Sequence, residues 1–209
     1  MQTNSKRWVE PLSLYGRYVV LEPMELKHAA ELSTVIDIHE YELLRQGGPL
    51  ENSPSAFQEY FSKILEEENR IEFIMRDSRT GRAVGHTSYM NIRERDRALE
   101  IGHTVIGARF QGMVYNTESK YLLFAHAFET LGAVRVQIKT DTRNKKSQAA
   151  IEKLGAVREG VLRSHDITAS GYVRDVVIYS VIAEEWPKVK EGLLRRIETK
   201  ALYQSMNND

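Results

Sequence analysis

Three residue patterns in this chain could do chemistry. The alternating run ALEIGHTVI, from Ala98 to Ile106, leads through Gly107-Ala108-Arg109-Phe110-Gln111-Gly112 into a helical pattern. A glycine-bearing turn ahead of a helix presents backbone N–H groups, with the helix's partial positive charge behind them, and so can cradle an anion. Asn116 or Thr117 can cap that helix, and Gly112 would let the main chain approach a phosphate without a Cβ in the way. An ordinary structural turn is the plain alternative. In the second pattern, Glu100 alternates with Ala98 and Gly102 on one strand face. A carboxylate there suits a general base, or is simply solvated. The third pattern, Asp141-Thr142-Arg143-Asn144-Lys145-Lys146-Ser147, sets Arg143, Lys145 and Lys146 at a helix start, where cations are unfavourable. A bound phosphate would explain that placement; so would a solvated turn.

Other chemistries drop out. The 107–112 glycines have P-loop spacing, but Met113 and Val114 stand where Lys and Ser/Thr would hold phosphate and magnesium. The chain has no Gly-x-Gly-x-x-Gly and no Gly-x-Ser-x-Gly. Its six histidines show no His-Glu-x-x-His spacing, so no metal is expected. There are no cysteines, which removes disulfides and cysteine nucleophiles. Basic and acidic side chains balance at 29 each, which argues against nucleic acid or an anionic membrane as partner. No stretch approaches the roughly 20 apolar residues of a membrane span, and Met1 to Glu10 has no apolar run of signal type. A cytoplasmic protein is expected.

The elements that must position these residues follow from periodicity. Strands are expected at 18–22, 72–76, 84–91, 98–106, 134–140, 157–162 and 173–182. Helices are expected at 25–45 (broken near Asp37), at 55–69 capped by Ser55, at 116–131, at 144–154 with Asn144 as N-cap and Ser147 at N3, and at 184–205. The stripe Tyr121, Leu122, Phe124, Phe128 reads as core. The order predicts one mixed α/β (α+β) domain over 1–209, with its core in 18–182 and a C-terminal helix at 184–205.

Arg109-x-x-Gly112-x-Val114, after that strand and before a helix, resembles the pyrophosphate loop of the GNAT superfamily of acyl-CoA-dependent N-acetyltransferases, though Val114 replaces the usual final small residue. The 141–147 segment looks like the family's second cofactor contact. Lys153-Leu154-Gly155-Ala156-Val157-Arg158-Glu159-Gly160 resembles the RimJ/RimL-like, ribosomal-protein-alanine acetyltransferase branch. The resemblance implies a GNAT fold: a central, mostly antiparallel mixed sheet of about seven strands, with helices on both faces. It implies acetyl-CoA as co-substrate and direct attack by a primary amine on the thioester. Cofactor contacts would then fall to Thr104, Val105, Ile106, Arg109, Gln111, Gly112, Met113, Val114, Asn116, Thr117, Asn144 and Ser147. Candidate catalytic residues are Glu100, Ser147 and Glu159. The position where many members carry a tyrosine acid is Ile151, for which Tyr115 or Ser147 could substitute. His103 reads as a core or rim histidine.

The acceptor is expected between segments 39–57 and 163–174, with Tyr41 and His165 as contacts. It would be a protein N-terminus or a small amine; a polyamine or aminoglycoside acetyltransferase and a non-catalytic acyl-CoA-binding module are the rival readings. The protein would work as a monomer or homodimer.

Overall fold

Alternating apolar runs become the strands of a single sheet. The structure, a computed structural model, describes residues 7–206. Its strands are β1 (Leu14–Tyr15), β2 (Val19–Pro23), β3 (Ile71–Asp77), β4 (Ala83–Arg93), β5 (Ala98–Ile106), β6 (Arg135–Asp141), β7 (Val157–Ile167) and β8 (Val173–Ile182). They form an eight-stranded sheet in the order β1-β2-β3-β4-β5-β6-β8-β7. Every pairing is antiparallel except that of β5 with β6. The two-residue edge strand β1, paired with β2, brings the total to eight, where periodicity suggested seven.

Helices cover both faces. α1 (Ala29–Leu32) and α2 (Pro54–Leu65) pack Leu32, Phe57 and Phe61 onto Ile74, Ala83 and Val105. α3 (Tyr115–Ala125), α4 (Lys145–Leu154) and α5 (Trp186–Met206) pack Leu123, Phe124, Ile151, Leu154 and Leu193 onto the other face, against Phe73, Met75 and Val136. The Glu118 carboxylate accepts from the backbone N–H groups of Arg17, Tyr18 and Val19 at 3.0, 2.7 and 2.7 Å, which ties α3 to the start of the sheet.

Two local expectations need correction. Segment 25–45 is not a long helix: it holds α1 between single 3-10 turns at 26–28 and 38–41. Ser33 and Thr34 donate to carbonyls of the preceding turn and Asp37 accepts from His39 N–H, so local side chains compete with helix bonds. α2 is capped by Ser53, whose Oγ accepts from Ala56 N–H at 3.2 Å, with Pro54 in the first turn; Ser55 lies inside the helix.

Two irregularities around β5 shape the site. β5 and β6 pair only at 98–100 against 135–137. Beyond Glu100 the parallel strands part, and the β5 edge facing β6 has no ladder partner. Against β4, Gly102 pairs with Ser88 and Val105 with His86, so His103 and Thr104 oppose Thr87 alone. This bulge holds His103 at φ 48°, a left-handed conformation uncommon for a residue with a side chain. It sends His103 toward α2 and Thr104 toward α3.

Candidate active site

The parting of β5 and β6 opens a cleft of about 760 Å³. One wall is β5, Glu100 to Ile106; the other is Ile138 to Asp141 followed by Asn144 and Ser147. The turn before α3 closes one end through Gln111 and Gly112, with Asn116, Thr117 and Lys120 of α3 inside it. Leu43 to Gln46, Asn69 and Asn91 stand at the other end.

Of the expected cofactor contacts, Thr104, Val105, Ile106, Gln111, Gly112, Asn116, Thr117, Asn144 and Ser147 share this cleft. Gly112 sits at φ 80°, and a Cβ built there would meet no atom within 4 Å. Glycine's freedom at positive φ therefore sets the turn, and the space beside it is open to a ligand. Asn144 caps α4, its Oδ1 accepting from Ser147 N–H at 2.9 Å. Gly155 ends that helix at φ 95°.

The side chains of Arg109, Met113 and Val114 point elsewhere. Arg109 lies over the Phe110 ring at 4.8 Å, Met113 packs on the core, and Val114 is itself core at 1% exposure. Val114 thus keeps its bulk out of the cleft, although it departs from the family's small residue. What this part of the loop offers a ligand is main chain.

Cations gather at the loop end: Lys146, Lys153, Arg196 and Lys200 all line the cleft. Lys146 reaches Gln111 Oε1. Lys200 Nζ donates to the carbonyls of Gly112 and Met113 at 2.8 and 3.0 Å. Arg196 leaves a buried Nε without a partner. Burial, followed by the charges of Arg196 and Lys153, lowers the pKa of Lys200. Such crowding of like charge calls for an anion. Arg143 and Lys145 stay out: Arg143 binds Asp141 through both side-chain oxygens and lies 3.6 Å over the Tyr172 ring. Asn116 Oδ1, on the first turn of α3, is buried without a donor.

At the closed vertex, Glu100 is 2% exposed rather than solvated. Its Oε2 accepts from Asn91 at 2.8 Å and Gln137 at 3.2 Å, with Lys139 Nζ at 3.5 Å; none of these reaches Oε1.

Behind β5 lies a buried polar network that the sequence reading did not anticipate. Glu72 Oε1 faces His86 Nδ1 at 2.6 Å and His103 Nδ1 at 2.9 Å, while Arg70 Nε donates to Oε2 at 2.8 Å. A carboxylate only accepts, so both rings present Nδ1–H. Their Nε2 atoms meet Tyr41 and Tyr60 hydroxyls at 2.9 and 2.7 Å. Burial lowers the His103 pKa to about 4 against the raising charge of Glu72, leaving a neutral ring. Glu72, His86 and His103 have the donor set of a cation site within 4.8 Å, but here their ligand atoms are engaged with one another.

Three further expected site residues lie off the cleft. Tyr41 is 1% exposed and bonded to His86, so its side chain is closed to an acceptor. His165 lines a separate shallow depression on β7 with Arg163 and Asp175. Glu159 is held by Arg135 at 2.6 and 2.5 Å and by Ser180 at 2.8 Å, on β7 away from the cleft. Those bonds lower its pKa to about 2, the Arg135 bond first. Tyr115, considered as an acid, donates to Asp77 at 2.6 Å. The segments that carried Tyr41 and His165 do meet: Ala169 N–H donates to Arg45 O at 2.9 Å, and Arg45 and Arg174 flank Asp166 at 3.5 and 3.3 Å.

Residues 19–157 match the acetyltransferase (GNAT) domain family, a span that contains both cleft strands and the loop between them. The chain belongs to the GNAT acetyltransferase family. GNAT members transfer an acyl group from acyl-CoA to an amine nitrogen. The Bacillus subtilis protein named "Putative ribosomal N-acetyltransferase YdaF" is 34% identical over 106 residues, 51% of this chain and 57% of that relative. The match thus spans little more than half of that relative's length. A candidate acetyltransferase from T. thermophilus has a crystal structure at TM-score 0.84 and 38% identity, covering 91% of this chain and 99% of that one. Another candidate acetyltransferase superposes at TM-score 0.85 and 39% identity, covering 91% and 96%. No helix among the described residues is long and apolar enough to cross a membrane.

Proposed function

We propose that this GNAT protein is a cytoplasmic enzyme that transfers acetyl from acetyl-CoA to a primary amine, the α-amine of a peptide or protein N-terminus. The observation that carries this reading is the parted β5–β6 pair, which runs from a helix-start anion cradle at one end to the buried carboxylate Glu100 at the other. The residues fit acetyl-CoA. The 107–114 turn and α3 start, with Arg196, Lys200, Lys153 and Lys146, would hold its phosphates. The free edge of β5 and the orphaned Asn116 carbonyl oxygen would bond its amide-bearing arm. Acetyl-CoA, once bound, supplies the activated thioester.

The chain's own residues do the rest. The β5 main chain at Thr104–Ile106 would hold the carbonyl oxygen as charge builds on it. Glu100, with Oε1 unencumbered, would take the proton from the attacking nitrogen. Orientation of the two reactants within one cleft can supply several kcal/mol. The far end favours a peptide: Asn69 and Asn91 are neutral amides able to bond a backbone, and Glu67 is already bonded to Gln46 and Arg70. The name of the B. subtilis relative points the same way. The test is mass spectrometry of a panel of free peptides, their Nα-blocked forms and small polyamines after incubation with acetyl-CoA. Peptides should gain one acetyl group only when the α-amine is free; acetylation confined to small polyamines would overturn the peptide assignment.

A further inference from the structure

Lys120 lines the cleft, and neither phosphate binding nor removal of the acceptor's proton uses it. It lies on α3 at 5% exposure, and its Nζ donates to Thr104 Oγ1 at 2.5 Å and Thr87 Oγ1 at 3.2 Å. No carboxylate among the described residues pairs with it. The charge that acts on it is Glu72, whose carboxylate is itself bonded to Arg70, His86 and His103. An ammonium buried among hydroxyls is costly, and burial lowers the Lys120 pKa to about 7. A lysine maintained at that cost, open to a ligand cleft, fits a site where an anion forms during reaction.

Aminolysis of a thioester makes such an anion at sulfur. Thr104, whose hydroxyl Lys120 touches, belongs to the strand segment assigned above to the thioester. Lys120 arrives on α3, the helix that begins at the phosphate loop, whereas Glu100 sits at the vertex. Of the positions considered above for this acid, Tyr115 is bonded to Asp77, Ile151 presents hydrocarbon, and Ser147 stands on the opposite wall of the cleft.

We propose that Lys120 is the acid that discharges the leaving sulfur. The acceptor nitrogen forms its bond to the acetyl carbon, the carbon–sulfur bond breaks, and its electron pair goes to sulfur. Lys120 gives that sulfur a proton from Nζ and becomes neutral. The proton lost by the nitrogen passes to Glu100 and then to solvent, which reprotonates Lys120, so the products are amide and thiol.

The proposal rests on acetyl-CoA occupying this cleft, and its test needs no acceptor. CoA is bound to the intact protein, and its thiol is titrated by thiolate ultraviolet absorbance, in the wild type and in Lys120→Gln. A cation beside the sulfur should make the bound thiol at least about tenfold more acidic than free CoA, and the variant should abolish that difference while still binding CoA. A bound wild-type thiol that titrates like free CoA, or one equally acidified in the variant, would overturn the role of Lys120. If Lys120→Gln does not fold, the wild-type titration alone decides, with desulfo-CoA as the blank. Failure of the wild type to bind CoA at all would instead overturn the reading of the cleft beneath it.

Discussion

Lys200, on the C-terminal helix, donates through Nζ to the carbonyl of Gly112 at 2.8 Å, across 88 positions of sequence. The bond ties α5, which lies beyond the family-matched span 19–157, to the turn that opens α3. It engages the carbonyls of Gly112 and Met113 rather than their N–H groups, while Val114 N–H donates to Gln204 Oε1 of the same helix at 3.4 Å. Arg196, one helical turn earlier, adds a guanidinium with a free buried Nε.

Arg196→Gln should therefore weaken CoA binding by at least about tenfold, since a charged hydrogen bond to phosphate contributes roughly 1.5–3 kcal/mol. Affinity for pantetheine, which lacks the phosphates, should stay within about twofold. Calorimetry with both ligands checks this; an equal loss for both would mean that Arg196 supports the cleft wall only.

Asn144→Ala should cost about 1 kcal/mol of stability through the lost cap on Ser147 N–H. It should also raise the KM for acetyl-CoA, because Asn144 lines the cleft. Urea unfolding beside initial-rate kinetics separates the two effects. A destabilised variant with unchanged KM would leave the cap as its only role.

How much of this was legible in the sequence depends on range. The Asn144 cap, the Gly155 stop, the β5 run and the turn into α3 are local patterns, and the structure keeps them, except that Val114 holds the cap position of α3 and Asn116 and Thr117 lie inside the helix. Arg196, Lys200 and Lys153 were not read as site residues because each looks like a solvated helix position; only the packing of α5 and α4 turns them to the cleft. Lys120 hid likewise among the polar positions of α3. Tyr41 and His165 sit on segments that do meet beside the cleft, but spacing does not say which way a side chain points. Glu159 fits the family phrase, yet Arg135 and Ser180, on neighbouring strands, hold it on the sheet.

Glu100→Gln retains the shape and the Asn91 side of the site but removes the basicity. Its turnover should fall by about 10² or more, most steeply at low pH, where the acceptor amine is largely protonated. An unchanged rate and pH profile would pass the proton to water instead.

Glu159→Gln should leave turnover unchanged and act on stability alone. The folded pKa of Glu159 is lowered to about 2, so its contribution is present at neutral pH and is lost as pH falls from the ordinary carboxylate range toward that value. With 37% of the side chain exposed, the contribution should not exceed about 1 kcal/mol. Thermal unfolding should separate wild type from variant at neutral pH and converge only as pH falls to about 2; a loss of kcat would restore a catalytic role.

The most direct test of the cofactor cleft is calorimetric titration of CoA into the wild type and Gly112→Asp. Aspartate tolerates positive φ better than most residues, and no atom lies within 4 Å of the new Cβ, so the variant should fold. It places a carboxylate in the phosphate cradle. The wild type should bind one CoA per chain and the folded variant should show no measurable binding; equal affinity in the two would contradict the assignment of this cleft to acetyl-CoA.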